Sequence, residues 1–316
     1  MERMSKIKIL ITDGMAKEGV EILKSHPEFE VDLRKETPAA ELAGIIGSYQ
    51  CIIIRSATKL TKELVEKCTS MKLIVRAGAG VDNIDVPVAT GMKLPVMNTA
   101  SANSLAAAEQ TIALMFAMLR QIPQAAATLA SGKWERDKFK GWEATGKTIG
   151  VIGLGNIGRI VAEKAHGLGM KVVGYDPFIK TLANVQILPT VDEVVKVSNL
   201  ITVHVPKSKE TTKLINADRL AMMKDGSFVI NCSRGGIVDE AALLKALDSG
   251  KLAGAALDVF EEEPPTKPSP LFTHPKVACA PHLGASTFEA QERVALTAAN
   301  QIVGFFKKGD RTGIIN

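Results

Sequence analysis

Thr148-Ile149-Gly150-Val151-Ile152-Gly153-Leu154-Gly155-Asn156-Ile157-Gly158 decides how this chain is read. The run before Gly153 is short, apolar and β-branched, as a strand covered on both faces would be. Arg159-Ile160-Val161-Ala162-Glu163-Lys164-Ala165 follows with apolar residues at helical spacing. Beyond that helix a second apolar run, Lys171-Val172-Val173-Gly174-Tyr175, ends at Asp176, 21 residues past Gly155. Strand, glycine turn, helix, second strand and acid in this order make a dinucleotide-binding fingerprint.

Each part of the fingerprint has a task. Gly153 permits the tight turn, Gly155 lets the backbone approach a pyrophosphate, and Gly158 lets helix and strand pack closely. Unpaired N–H groups at the helix start face the phosphates. Asp176 is placed to accept hydrogen bonds from the adenosine ribose hydroxyls and to repel a 2′-phosphate. Phe178, not an arginine, follows Pro177. The expected cofactor is therefore NAD, not NADP.

Working outward, 316 residues are enough for about two domains. Hydrophobic residues make up 46% and charged residues 23%, which suits a folded chain with a sizeable core. Aromatics are only 4%, too few for a nucleic-acid stacking surface, and the net charge of +5 is spread along the chain. That balance fits a small anionic substrate better than a polyanion. Cys51, Cys68, Cys232 and Cys279 are far apart and show no metal-ligand spacing, so reduced thiols and no metal are expected. The first strand begins within a few residues of the N-terminus, and no apolar run approaches the length of a membrane span. Cytoplasmic location, with no nucleic-acid or membrane partner, is the expectation.

Ahead of the fingerprint, strand patterns alternate with helical ones: Ile7–Ile11, 30–33, 51–55, Leu73–Arg76 and 95–97. This predicts a flavodoxin-like parallel sheet. The helical pattern Ser104–Leu119 is apolar over much of its surface, which predicts burial between domains or subunits. After the fingerprint come strands at Lys171–Tyr175, Leu200–Val203, Ser227–Asn231, Leu252–Leu257 and Val277–Cys279. A long helix over 286–307 and an extended 313–316 segment close the chain. The predicted class is α/β, with two Rossmann/flavodoxin-like parallel-sheet domains. An NAD-binding domain over 100–286 is inserted into a substrate-binding domain of residues 1–99 and 287–316.

Three residues carry candidate chemistry at strand ends, where ligands of open α/β sheets bind. Arg234 follows the strand 228–231 and precedes two glycines; Glu263 closes the turn Glu261-Glu262-Glu263-Pro264-Pro265; His282 lies in Ala280-Pro281-His282-Leu283-Gly284. Hydride transfer between a hydroxy acid and NAD needs a base for the hydroxyl proton and a cation for the carboxylate and carbonyl. Histidine suits the first task, a neighbouring carboxylate would stabilise its imidazolium, and arginine offers a planar fork for the second. Taken one at a time, each residue type is more often structural: an arginine in a surface pair, a glutamate in a solvated turn, a histidine in a satisfied loop.

With these residues in view, the chain resembles the D-2-hydroxyacid dehydrogenase family over essentially its whole length. The matching blocks are Arg55-Ser56-Ala57-Thr58-Lys59, Arg76-Ala77-Gly78-Ala79-Gly80-Val81-Asp82-Asn83, Arg120-Gln121-Ile122-Pro123-Gln124, Gly132-Lys133-Trp134-Glu135-Arg136, and the blocks around Arg234, Glu263 and His282. The resemblance implies Arg234 as the substrate-orienting cation, His282 as the acid/base and Glu263 as its partner. It implies cofactor contacts from Gly153, Gly155, Asn156, Ile157, Gly158, Asp176, Val205, Cys232, Ser233, Arg234, Asp258, His282, Leu283, Gly284 and Ala285. Substrate contacts are implied for Arg55, Ser56, Ala77 and Gly78, with Asn103 a further cleft candidate; Lys59 and Arg76 are candidates by charge for a substrate phosphate, as is Arg136 from a partner subunit of a dimer like that of its relatives. A homodimer through the NAD-binding domain follows from the same resemblance. Ala79 and Val205 depart from the residues common in relatives, and a chain ending at Asn316 is expected to lack a serine-sensing regulatory domain. The implied reaction is oxidation of 3-phospho-D-glycerate. Reduction of glyoxylate or hydroxypyruvate and an NAD-sensing binding protein are the alternatives.

Overall fold

In the computed structural model, which describes residues 6–316, strands and helices alternate through both halves of the chain. The chain divides into two units, Met1–Asn103 with Ala285–Asn316, and Ser104–Gly284. The first contains β1 (Ile7–Ile11), α1 (Lys17–Lys24), β2 (Phe29–Leu33), α2 (Ala39–Ile45), β3 (Cys51–Ile54), α3 (Lys62–Glu66), β4 (Leu73–Arg76), α4 (Val86–Gly91) and β5 (Val96–Asn98). The second contains α5 (Ser104–Leu119), α6 (Ile122–Ala130), β6 (Thr148–Ile152), α7 (Asn156–Gly167), β7 (Lys171–Tyr175), β8 (Gln186–Ile187), α8 (Val191–Val197), β9 (Leu200–Val203), α9 (Ala217–Met222), β10 (Ser227–Asn231), α10 (Glu240–Asp248), β11 (Leu252–Leu257) and β12 (Val277–Cys279). The final helix, α11 (Phe288–Lys308), returns to the first unit.

The first sheet runs in the order β2-β1-β3-β4-β5, all parallel. The central strands β3 and β4 are apolar on both faces because both are covered, whereas the edge strand β2 carries Glu30 and Asp32. Ile9, Ile11, Cys51, Ile53, Leu73 and Val75 pack with Val20 and Leu23 of α1 and with Val294, Ala298 and Ile302 of α11. Their neighbours Leu10, Ile52, Ile54 and Ile74 point the other way, onto Leu42 of α2, Leu64 and Val65 of α3, and Ala89 of α4. This is the period-two alternation of a strand.

The second sheet runs β12-β11-β10-β9-β6-β7-β8, again all parallel. From β8 inward this is the order of a dinucleotide-binding sheet with one more strand at the far edge. Ile152, Val173, Ile201, Val203 and Val229 face Val194, Val195, Leu220, Leu243 and Leu247 of α8, α9 and α10. Ile149, Val151, Val172, Leu200, Phe228 and Ile230 face Leu114, Met115 and Met118 of α5 and Ala162 and Ala165 of α7. The apolar surface of α5 is thus met within its own unit, by α7 and the sheet.

Several boundaries move from their sequence-based positions for identifiable reasons. β3 stops at Ile54 because the Arg55 N–H goes to the Asp13 carboxylate at 2.7 Å instead of to a strand. β5 begins at Val96, one residue after Pro95, which has no N–H to give. α11 begins at Phe288, where the Thr287 side chain accepts from Ala290 N at 3.1 Å, and it ends at Gly309 with φ 68°. The last residues are extended: Ile315 N donates to Val96 O at 2.9 Å, and Val96 N donates to Asn316 Oδ1 at 2.8 Å. Among the described residues no single helix is long and apolar enough to cross a membrane.

Candidate active site

β6 delivers the chain to its glycine turn, where Gly153 has φ 90°. A Cβ at Gly153 would meet His204 O at 2.5 Å, and one at Gly158 would collide with the Gly153 carbonyl; one at Gly155 would meet nothing within 4 Å. Two glycines are therefore required by the fold, while the third leaves open space in front of α7. The start of α7 has no side-chain cap, so its first N–H groups are left for an anion. Asp176, just past β7, accepts from Leu154 N at 2.8 Å, Phe178 N at 2.9 Å and Ile179 N at 3.2 Å. Three bonds leave part of the carboxylate's roughly four-fold acceptor capacity for ribose hydroxyls. The turn, the uncapped helix and the acid fit an NAD molecule.

Val205 follows β9 and lies against Gly153. Cys232 is buried at the end of β10, and burial pushes its thiol up to about 12 with the Asp258 charge adding to the effect. Its backbone, not a thiolate, is what it can offer a cofactor.

The catalytic candidates of this unit meet at the carboxyl ends of β10, β11 and β12. Asn231, the last residue of β10, accepts from Ser233 N and Oγ at 3.0 and 2.9 Å and donates from Nδ2 to Arg234 O at 2.9 Å. This fixes the turn that carries Arg234, whose Nη1 donates to Ser233 O at 2.7 Å. Glu263 Oε1 accepts from Phe260 N at 2.8 Å, and its Oε2 lies 2.5 Å from His282 Nδ1. An ionised carboxylate only accepts, so Nδ1 carries the proton and Nε2 is left to exchange one with a substrate. The ring is 45% exposed and so remains reachable. Burial raises the Glu263 carboxyl. The His282 hydrogen bond, the Phe260 N–H and the charges of His282 and Arg234 outweigh it and hold the group below the usual carboxylate range. An ionised Glu263 that can stabilise an imidazolium results.

His282 sits at φ 55°, in the left-handed region that non-glycine residues visit uncommonly. Asp258, buried after β11, holds it there. Asp258 O accepts from His282 N at 2.8 Å, and its carboxylate accepts from Leu283 N and Gly284 N, each at 2.8 Å. Gln110 of α5 adds a bond from Nε2 at 3.2 Å. Gln110 and Asn231 were not among the sequence candidates. An amide inside an otherwise apolar helix pattern, and an asparagine closing an apolar strand, are the signals that mark them. Burial raises the Asp258 carboxyl, against the opposing bonds from Leu283, Gly284 and Gln110 and the His282 charge.

In the first unit, the 55–59 residues follow β3, and Ala77 and Gly78 follow β4, so both groups lie at carboxyl ends of neighbouring strands. Ser56 and Lys59 are exposed and Arg55 is half-buried. The Arg76 guanidinium folds back over Gly78, donating from Nη1 to Ala77 O at 2.8 Å; a side chain at Gly78 would displace it. Asn103 is buried, and its Oδ1 has no hydrogen-bond partner among the described residues. Arg136 is exposed in the short turn Arg136–Lys138 of the second unit, and Ala285 opens the final segment of the first.

Residues 112–284 match the family described as D-isomer specific 2-hydroxyacid dehydrogenase, NAD binding domain. The chain belongs to that family. Family relatives include the D-3-phosphoglycerate dehydrogenases of Methanocaldococcus jannaschii and Homo sapiens. The first is 45% identical over 302 residues, 94% of this chain and 57% of that protein. The second is 46% identical over 316 residues, 98% of this chain and 58% of that protein. This chain thus spans a little over half the length of either relative. Among solved structures, a glyoxylate reductase from Paecilomyes thermophila superposes with a TM-score of 0.89 at 29% identity, covering 99% of each chain. Both the dehydrogenase fold and the NAD-binding character of the second unit rest on these matches and on the glycine turn.

Proposed function

We propose that this chain is an NAD-dependent dehydrogenase that oxidises 3-phospho-D-glycerate to 3-phosphohydroxypyruvate, at the entry to serine synthesis. The observation that carries the chemistry is the 2.5 Å pairing of His282 Nδ1 with Glu263 Oε2. The substrate assignment is supported by the names of the relatives at 45 and 46% identity.

NAD, held by the Gly153–Gly158 turn, the start of α7 and Asp176, supplies the hydride acceptor for the C2–H bond. The Asp176 carboxylate favours it over the 2′-phosphorylated form. His282 Nε2 takes the C2 hydroxyl proton as the C–O bond becomes a carbonyl. Glu263 stabilises the resulting imidazolium, and the proton later leaves to solvent. Arg234 pairs with the substrate carboxylate and polarises the forming carbonyl. Asp258 and Gln110 keep the His282 backbone in its constrained conformation. In reverse, His282 donates the proton to the reduced oxygen.

A phosphate of roughly −2 charge needs cations of its own. Arg55, Lys59 and Arg76, with the 76–80 backbone turn, Ser56 and Asn103, form the proposed set in this chain, joined by Arg136 from a second copy. The homodimer runs through the NAD-binding unit. α6 supports this: none of its residues is buried, and Ile122, Leu129 and the nearby Trp134 are 53%, 58% and 82% exposed. The four free cysteines suit a reducing cytoplasm.

The test is a substrate panel with NAD⁺ and NADH on the parent and on Arg55→Ala, Lys59→Ala and Arg136→Ala. Losing one charge-assisted bond should lower kcat/KM for the phosphorylated substrate roughly ten- to a hundredfold and much less for hydroxypyruvate. Equal losses on both would leave a general hydroxyacid dehydrogenase, and absence of turnover on every substrate would leave an NAD-sensing binding protein.

A further inference from the structure

We propose that Asp13 and Asn83 are positioning residues that set the 55–59 loop for anion binding. The proposal rests on the reading that Arg55 and its neighbours hold the substrate. In the sheet order β2-β1-β3-β4-β5 the chain goes from β1 to one side and later returns to the other. A crevice opens at such a reversal, at the carboxyl ends of β1 and β3. Asp13 is the second residue past β1, and Arg55 is the first past β3.

Asp13 Oδ2 accepts from Arg55 N at 2.7 Å and from Thr58 N at 3.1 Å, and its Oδ1 accepts from the Thr58 hydroxyl at 2.5 Å. From the opposite side, Asn83 Nδ2 donates to Arg55 O and to Thr58 O, each at 2.6 Å. The N–H and C=O of both ends of a four-residue turn are thus held by two side chains, one acting only as acceptor and the other as donor. Thr58 points inward, buried, with its hydroxyl 2.8 Å from the Thr12 hydroxyl. Ser56, Ala57 and Lys59 are left exposed.

A surface loop that merely joined β3 to α3 could give these groups to water. Here three donors of the loop are instead tied to one carboxylate. The arrangement makes sense as preorganisation: the loop's side chains are presented without an ordering cost when the anion arrives.

The experiment uses the full chain at saturating NAD⁺, with 3-phospho-D-glycerate as the titrated probe. Asp13→Ala and Asn83→Ala should raise KM about ten- to a hundredfold, with kcat and the NAD Kd nearly unchanged. The isosteric pair separates positioning from general stability. Asp13→Asn keeps an oxygen for both N–H groups and should restore KM to near the parent value, whereas Asn83→Asp cannot donate to two carbonyls and should behave like Asn83→Ala. An unchanged KM in Asp13→Ala and Asn83→Ala overturns the proposal, as does a KM in Asp13→Asn as high as in Asp13→Ala. Arg55→Ala serves as the control for the parent reading. If it too leaves KM unchanged, the substrate assignment of the loop falls and takes the proposal with it; if it raises KM and the other variants do not, only the proposal falls.

Discussion

Two glycines of one turn should respond to the same substitution in opposite ways. Gly158→Ala puts a Cβ 1.9 Å from Gly153 O, where no real Cβ approaches within 3.0 Å, so the carbonyl or α7 must move by more than 1 Å. The obstacle is backbone at the end of a buried strand, with no rotamer to escape into. Overpacking of this kind costs about 1–3 kcal/mol, and the rigid partner puts this case near the upper figure. Gly155→Ala meets nothing within 4 Å and sits at φ −67°, outside the left-handed region that strains other residues. Its stability should stay within about 1 kcal/mol of the parent, or rise slightly because the unfolded chain loses freedom. NAD affinity should nonetheless fall roughly ten- to a hundredfold, because the methyl group fills the space that lets a pyrophosphate reach the first N–H groups of α7. The only two tryptophans, Trp134 and Trp142, both lie in the second unit. Tryptophan fluorescence during urea unfolding therefore reports that unit selectively, and titration calorimetry with NAD gives the affinities. A stable Gly158→Ala protein, or a Gly155→Ala protein that binds NAD like the parent, would refute the reasoning.

Other expectations concern pH and cofactor choice. His204 follows β9 with Nε2 2.9 Å from the Thr202 hydroxyl, and burial lowers its pKa from 6.5 to about 4. The unfolded chain then binds the extra proton between those values, so the stability contribution is complete above pH 6.5 and is lost as pH falls toward 4. At pH 5 the loss is about 2 kcal/mol; urea unfolding at pH 7 and pH 5 should show it in the parent and not in His204→Gln. Replacing Glu263 by Gln removes the carboxylate paired with His282 Nδ1 at 2.5 Å, so kcat for substrate oxidation should fall while NAD affinity holds; an unchanged kcat would count against the pairing. Asp176→Ser should narrow the preference for NAD over NADP, measured as the ratio of kcat/KM values, and a constant ratio would remove Asp176 from cofactor discrimination.

The fingerprint was readable because its signals are local: an apolar run, three glycines, a helical period and an acid, all within 149–176. The same locality explains why β7, β9, β10, β11 and β12 emerge from short buried runs, while β8, only two residues at a sheet edge, left no pattern. The α5 helix was readable as apolar, but what covers it was not, since α7 and the sheet arrive from distant sequence. His282, Glu263 and Arg234 could be picked out by residue type and strand-end position, yet only the fold brings His282 against Glu263 across 19 residues. The supporting groups were hidden for the same reason. Gln110 meets Asp258 across 148 positions, and Asp13 meets the Arg55 N–H across 42; neither carries a local motif.

The central claim is that His282 moves the substrate proton while the glycine turn and Asp176 hold the cofactor independently of it. Measuring turnover of 3-phospho-D-glycerate by His282→Ala beside its NAD affinity tests that claim most directly. The account predicts a loss in kcat of roughly 10²–10⁴-fold with NAD Kd close to that of the parent. Turnover within a few-fold of the parent, with the cofactor still bound, would contradict it.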